Sequence, residues 1–138
     1  MAKLLAFSIN AQAGLVFTKG LSSVDEPDIW IRSLDEQTSL WIDVGEPSPD
    51  RIKKASRQAG EVKVYSFNSK SDVWWEQERS KFAMLKVSIF RFDSQSVRAF
   101  SALVERTMDL SITITGDSAF IATDTGECEV AWEPLQVV

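Results

Sequence analysis

A strand that leads through a Pro-rich corner into a helix, in the segment LWIDVGEPSPDRIKKA beginning at Leu40, constrains the fold of this chain more than any other feature. Apolar Leu40, Ile42 and Val44 alternate with the residues between them, which is the period of a strand with one buried face. Ser48 and Pro49 then start a helix, because serine caps a first turn well and proline is favoured at the first helical position. The segment therefore predicts a strand followed by a surface helix.

The same patterns alternate helices with strands along the rest of the chain and end in a meander. Helices are predicted over residues 2–13, 49–59, 71–86 and 94–107, the last two capped by Ser71 or Asp72 and by Ser94. Strands are predicted over residues 15–20, 40–45, 61–67, 86–92, 110–115, 119–123 and 127–132. Residues 28–30 are predicted to be irregular or to form one helical turn. The expected fold is a single α/β (mixed α+β) domain over residues 1–138, with a mixed sheet flanked by helices and a C-terminal antiparallel meander.

The chain contains no histidine, and its one cysteine is Cys128. The absence of histidine excludes Ser-His-Asp hydrolysis, Cys-His catalysis and histidine metal sites. A single cysteine excludes an internal disulfide and a cysteine zinc cluster. The net charge of −5 argues against a generally basic nucleic-acid surface but leaves room for a local basic face. Any catalysis must use carboxylates, lysine, serine, tyrosine or a hard metal.

No apolar run approaches the roughly eighteen residues of a membrane span, so no membrane association is expected. The first residues lack a clear cleavage site, and a signal peptide is not predicted. Together with the single thiol, these features predict a cytoplasmic protein.

Carboxylates in two neighbouring segments form the first candidate site. Asp43 lies on the second face of the predicted strand, and VDEPD upstream supplies Asp25, Glu26 and Asp28. Oxygen ligands from two converging segments are what Mg²⁺ takes in proteins. The two segments therefore form a candidate Mg²⁺ site, in which Asp43 is joined by one or more of Asp25, Glu26 and Asp28. The alternative is that Asp43 is an ordinary strand carboxylate that is solvated or paired with a cation.

The helix after the corner is strongly basic, with Arg51, Lys53, Lys54 and Arg57 around a narrow apolar stripe. Such a face is common on surface helices and needs no ligand. Phosphate contact is the alternative, because Arg51 and Lys54 lie three residues apart on one side of the helix near the end of the strand. Arg51 and Lys54 are the predicted phosphate-binding residues.

Two further features have a structural and a functional interpretation. Trp74 and Trp75 could form a base-stacking platform, but neighbouring helix positions point in different directions, so at least one of them is expected in the core. Cys128 lies on a short strand without a basic neighbour in the sequence and is predicted to be an inert thiol.

At this point the sequence resembles a known family. The segments LLAFSINAQAGLVFTKGLSSVDEPDIW, LWIDVGEPSPDRIKKA, VYSFNSKSDVWWEQ and RTMDLSITITGDSAFI follow one another as they do in YaeQ proteins. The resemblance covers essentially the whole chain, and the combination of D-E-P, W-I-[DE]-x-G-x-P and R-I-x-K-A is specific. It implies a variation on the PD-(D/E)XK, or restriction-endonuclease-like, architecture.

Nucleases of that architecture place one acid at the start of a strand and an acid-x-lysine triplet on the next strand, around Mg²⁺ or Mn²⁺. Carried onto this chain, the first acid is Asp25 or Glu26, with Asp28 in reserve, and the second is Asp43. Lys54, from the following helix, is the candidate for the catalytic lysine that orients water or phosphate. Nucleic acid is the partner that the resemblance implies.

Two departures from the pattern make a non-catalytic binding or interaction protein the preferred prediction, with a Mg²⁺-dependent nuclease or phosphodiesterase as the alternative. The lysine of the triplet is replaced by Gly45. YaeQ proteins also usually begin with a segment containing H-P-S-E-T-x-E-R, which is expected to be missing here. A surface that this segment would cover is expected to associate, which predicts a homodimer.

Overall fold

Eight strands and four helices are present in the residues that the computed structural model describes, which are 2–18, 26–33, 35, 37–103, 109–124 and 126–137. In chain order they are α1 (Ala2–Ile9), β1 (Leu15–Phe17), β2 (Ile29–Arg32), β3 (Thr38–Val44), α2 (Pro49–Gln58), β4 (Ala59–Ser66), α3 (Ser71–Phe82), β5 (Ser88–Phe92), α4 (Ser94–Leu103), β6 (Leu110–Thr115), β7 (Ser118–Thr123) and β8 (Gly126–Gln136). None of these helices is long and apolar enough to cross a membrane.

The strands form one mixed sheet in the order β1-β2-β3-β4-β5-β8-β7-β6. β3, β4 and β5 are parallel, and their connections run through α2 and α3. All other neighbours are antiparallel, including β6, β7 and β8, so the predicted meander is confirmed. α1 contacts β1, β3 and β6, which lie at both edges and in the middle of the sheet, so the sheet curls around this helix.

Both faces of the central strands are buried, each under its own pair of helices. On one face, α1 and α4 pack on a cluster that includes Leu40, Ile42 and Tyr65. On the other face, α2 and α3 pack on a cluster that includes Trp41 and Val62. Strand alternation therefore directs successive residues of β3 into different cores.

Residues 28–30 correct the sequence prediction, because Ile29 and Trp30 begin a strand and not a helical turn. Ile29 pairs with Ile42, and Trp30 pairs with Trp41, across the antiparallel β2–β3 ladder. A strand of four residues is too short to show a period in the sequence. Its conformation is set by its hydrogen bonds to β3 and by the complete burial of Ile29.

Several predicted helix ends were wrong. α1 ends at Ile9, before residue 13, and Asn10 Nδ2 donates back to the Ala6 carbonyl over 2.8 Å. α2 ends before Ala59, which has extended backbone angles (φ −120°, ψ 150°) and begins β4. α3 ends at Phe82, whose ring is fully buried. Tertiary packing, which the local pattern does not contain, decides these ends.

The predicted caps had mixed outcomes. Ser48 caps α2 as expected, and its Oγ accepts a hydrogen bond from the Arg51 backbone N–H over 3.2 Å. For α4, the cap is the Asp93 carboxylate, which accepts from the Ser96 N–H at 3.1 Å, and not Ser94. No side chain caps α3, because its N-cap position is Lys70, and Ser71, the first helical residue, shares a hydrogen bond with Ser66. The predicted end of α4 at residue 107 lies outside the described residues.

Candidate functional site

Asp43 is buried on the face of β3 that α2 covers. It lies near the carboxyl end of the strand, two residues after Trp41 on the same face, and only 2% of its surface is exposed. A carboxylate at such a position needs a charged or hydrogen-bonding partner, because an isolated buried charge is strongly unfavourable.

The partner of Asp43 is Arg51, in the first turn of α2. Arg51 Nε lies 2.9 Å from Asp43 Oδ2, and Arg51 Nη2 donates to Asp43 Oδ1 over 3.2 Å. Nη2 also donates to the Glu26 carbonyl over 2.7 Å, and the guanidinium lies over the Trp41 ring at 5.7 Å from its centroid. Both carboxylate oxygens are therefore engaged by one planar cation in the bidentate geometry that arginine favours.

The helix start explains why Arg51 reaches Asp43. The Ser48 cap fixes the first turn of α2 directly after the strand, and Arg51 stands three residues later on the side that faces β3. The basic helix thus contributes one cation to the interior. Lys53, Lys54 and Arg57 remain exposed.

Asp28 is the second carboxylate at this end of the sheet. It immediately precedes β2, and its Oδ2 accepts a hydrogen bond from the Val44 N–H over 2.8 Å. Its Oδ1 lies 3.2 Å from Lys3 Nζ on α1. Asp28 and Asp43 therefore lie beside the same end of β3, and each has a cation of its own.

Of the other predicted site residues, the structure describes Glu26 and Lys54, and it does not bring their side chains together with Asp43 as one group. Glu26 is partly buried and contacts Arg51 through its backbone carbonyl. Lys54 is exposed on α2 and forms no ion pair with a described carboxylate. Asp25 lies outside the described residues. Within the described ranges, no three Cys, Asp or Glu side chains converge as a metal-binding group.

Gly45, in the position of the missing lysine, has a backbone that side chains avoid. Its φ is 124°, and its N–H donates to the Tyr65 carbonyl over 2.8 Å. Residues other than glycine are strained at such an angle. A D-x-K triplet is thus disfavoured by the backbone at the end of β3 as well as absent from the sequence.

A cleft of about 960 Å³, which sequence reasoning missed, opens beside α2. Trp30 and Arg32 of β2 line it together with Glu26, and the end of α2 adds Arg57 and Gln58. The Arg32 guanidinium lies 4.7 Å from the centroid of the Trp30 ring. The signal for this cleft is the W-x-R spacing on one strand, which places both side chains on one face only if residues 30–32 are extended.

A smaller hollow of about 430 Å³ lies at the carboxyl ends of β4 and β5. Arg91 crosses it and is ion-paired with Asp72 and Glu133, while Asp93 caps α4. Each of these charged side chains therefore already has a partner in the protein.

The two tryptophans of α3 belong to the core. Trp74 and Trp75 are partly buried against the α2–α3 cluster, and both rings contact Phe82. Trp74 Nε1 also donates to the Pro47 carbonyl over 3.0 Å. These contacts favour the core interpretation over a stacking platform. Burial also raises the pKa of the Cys128 thiol, in agreement with the prediction of an inert thiol.

Comparison with known proteins gives a consistent result. The family model described as YaeQ protein matches residues 1–132. The chain is 37% identical to "Uncharacterized protein YaeQ" of Escherichia coli (strain K12), over 96% of this chain and 76% of that protein. The corresponding protein of Salmonella typhi is 36% identical with the same coverage.

Two solved structures have the same fold. The crystal structure of YaeQ protein from Xanthomonas axonopodis pv. citri superposes with a TM-score of 0.92 at 30% identity, covering 99% of this chain and 78% of that one. The YaeQ protein from Pseudomonas syringae gives a TM-score of 0.90 at 29% identity, covering 99% and 76%. On sequence and fold together, the chain belongs to the YaeQ family.

Proposed function

We propose that this chain is a non-catalytic member of the restriction-endonuclease-like architecture and acts by binding rather than by cleaving phosphodiesters. The observation that carries the proposal is the bidentate ion pair between Asp43 and Arg51. In a metal-dependent nuclease of this class, the acid at this place would present its oxygens to a divalent cation. Here the arginine engages both.

The arrangement of strands supports the architectural part of the proposal. Asp28 stands at the start of β2 and Asp43 on β3, and the two strands are hydrogen-bonded neighbours. This is the placement of first and second acids that the resemblance implies. A fold alone does not fix a function, so the chemistry must be argued from the side chains.

Three side-chain features favour binding without catalysis. Arg51 neutralises Asp43, Lys3 neutralises Asp28, and Gly45 stands where the lysine of the triplet would be. A divalent ion would have to displace Arg51 from a nearly buried carboxylate. Separating such a pair is costly, because one charge is left buried without a partner.

The second candidate is a Mg²⁺- or Mn²⁺-dependent nuclease, and it is favoured by the placement of Asp28 and Asp43 at one end of the sheet. In that function Asp43, with Asp25 or Glu26, would bind the metal, and Lys54 would orient water or phosphate. Arg51 would have to move from Asp43 to the phosphate.

Cleavage assays separate the two candidates. Labelled single- and double-stranded DNA and RNA are incubated with Mg²⁺ or Mn²⁺ and the wild-type chain, Asp43→Asn or Asp50→Asn. Asp50 is the matched control, because it is an exposed aspartate on α2. We expect no metal-dependent cleavage by any of the three and no change in Tm with metal. Cleavage by wild type and Asp50→Asn that is lost in Asp43→Asn would overturn the proposal.

The homodimer predicted from the sequence stays a prediction. Size-exclusion chromatography with light scattering tests it, and a purely monomeric chain would contradict it.

A further inference from the structure

We propose that the cleft beside α2 binds a nucleobase together with its phosphate, carried either by a free nucleotide or by a single-stranded nucleic acid. The proposal rests on the proposed binding function but concerns a site distinct from the Asp43–Arg51 pair. It is argued from the floor of the cleft, its basic wall and the charge distribution of the chain.

The floor of the cleft is an aromatic surface that α2 leaves uncovered. Trp30 faces the same side of the sheet as Trp41, its partner in the β2–β3 ladder, and as Val16, its partner on β1. α2 packs over β4 and against α3, and it buries Trp41, whereas Trp30 is only partly buried and Val16 is 50% exposed. Parts of Trp30 and Val16 therefore remain exposed on the face of the sheet that α2 does not cover.

Arg32 lies over part of this surface and presents a second planar group to the cleft. Its guanidinium is 4.7 Å from the centroid of the Trp30 ring. Indole and guanidinium planes both stack on nucleobases, and stacking does not depend strongly on which base is present. Gln37 and Gln58 line the same cleft and offer amide donors and acceptors for the edge of a base.

The wall of the cleft carries cations suited to a phosphate. Arg57 lines the cleft from the last turn of α2. Lys54 is exposed on the same helix, three residues before Arg57 and four before Gln58, both of which line the cleft. Neither Lys54 nor Arg57 forms an ion pair with a carboxylate of the described residues, so both charges are available to a ligand.

The charge of the whole chain makes this location unusual. The chain carries 20 acidic and 15 basic side chains. On α2, Arg51 is paired with Asp43, and the exposed charges are three cations, Lys53, Lys54 and Arg57, and one acid, Asp50. An anion would be repelled by most of this surface and attracted to the flank of α2, which is how a local field selects one docking place.

Binding is measured in EDTA, so that the result does not depend on whether the chain cleaves. The probes are a fluorescein-labelled single-stranded oligonucleotide, AMP, adenosine and inorganic phosphate. The readouts are anisotropy for the oligonucleotide and quenching of intrinsic tryptophan fluorescence for all four. We expect the oligonucleotide or AMP to bind with quenching, and adenosine and phosphate alone to bind about tenfold more weakly or not at all.

The variants test each part of the cleft. Lys54→Ala/Arg57→Ala removes the basic wall, and Lys70→Ala/Arg98→Ala removes the same two charges from exposed positions elsewhere. Trp30→Phe keeps an aromatic ring on β2 and removes the indole signal. We expect a loss of affinity of about tenfold for the first double variant, little change for the second, and a loss of quenching in Trp30→Phe.

Several outcomes would overturn the proposal. These are an equal loss in both double variants, quenching that persists in Trp30→Phe, or no binding of any probe at low salt. If the oligonucleotide binds and AMP does not, the natural ligand is a single-stranded nucleic acid. If both bind equally well, the natural ligand is a free nucleotide. Metal-dependent cleavage that needs Asp43 would refute the proposed function and leave the cleft measurements standing.

Discussion

Lys63 of β4 donates a hydrogen bond from Nζ to the Oδ1 of Asn10, 2.7 Å away, just beyond the end of α1. Asn10 is 7% exposed, and its Nδ2 donates to both the Ala6 carbonyl and the Tyr65 hydroxyl, over 2.8 and 2.9 Å. One amide side chain therefore joins the first helix to the middle of the sheet through three hydrogen bonds.

Replacing Asn10 with alanine is expected to lower the free energy of unfolding by about 2–3 kcal/mol, because Tyr65 loses its amide donor and Lys63 loses an acceptor in a buried setting. Urea denaturation followed by circular dichroism measures the change. Gln12→Ala, at an exposed position nearby, is the control and is expected to cost less than about 0.5 kcal/mol. Equal stabilities for the two variants would show that the bridge contributes little.

Stability is expected to fall in alkali because of Tyr65. Burial raises the pKa of its phenol above the usual value, Glu61 raises it further, and the Asn10 hydrogen bond opposes them. The unfolded chain then loses this proton near pH 10, while the native chain retains it. The contribution of Tyr65 to the free energy of unfolding is therefore complete below about pH 10, and it is lost as the pH rises through the pKa of the native phenol.

Tyr65→Phe removes that dependence, and the difference between its stability–pH profile and that of wild type isolates the tyrosine. Because Tyr65 is the only tyrosine in the chain, tyrosinate absorbance reports its titration directly. Titration of the native protein at the pKa of an unfolded peptide would contradict the expectation.

Removing either partner of the Asp43–Arg51 pair is expected to destabilise the chain, but not equally. Arg51→Ala leaves a carboxylate with a side-chain exposure of 3% and should cost about 3–5 kcal/mol. Asp43→Ala leaves an arginine that is 24% exposed and can turn toward water, so its cost should be smaller. A double-mutant cycle by chemical denaturation measures the coupling, with exposed Lys53→Ala as the control. A coupling near zero would refute this account of the ion pair.

Restoring the acid-x-lysine triplet by Gly45→Lys is expected to cost about 1–3 kcal/mol and to create no nuclease activity. The cost comes from the backbone, since φ is 124° and an added Cβ would meet no atom within 4 Å. Gly45→Ala should therefore cost about as much as Gly45→Lys. A stable Gly45→Lys variant that cleaves DNA with Mg²⁺ would mean that only the lysine had been missing.

The parts of the fold that were predicted correctly are those whose sequence pattern extends over several neighbouring residues. The β3 period, the Ser48–Pro49 helix start and the C-terminal meander each depend on residues close together in sequence, and the structure contains all three elements. β2 was missed because its four residues are held as a strand by pairing with β1 and β3, which the local sequence does not show.

The candidate site followed the same division. That Asp43 shares a face with Trp41 could be predicted from alternation, and so could the position of Arg51 in the first helical turn. Whether Asp43 is a metal ligand or the partner of an ion pair depends on the side-chain conformation of Arg51. Sequence spacing does not determine that conformation. The cleft was missed for the same reason as β2, since it requires Trp30 and Arg32 to be extended neighbours.

β8 is the last of the eight strands along the chain, yet it lies inside the sheet, with β5 on one side and β7 on the other. On the ribosome, β3, β4 and β5 are therefore synthesised well before β8, the strand that pairs with β5. Until β8 emerges from the exit tunnel, β5 and β7 both expose unpaired backbone groups, and such edges are where nascent chains associate. Synthesis of this one strand pairs both edges together, so the exposure of β5 and the exposure of β7 end at the same step.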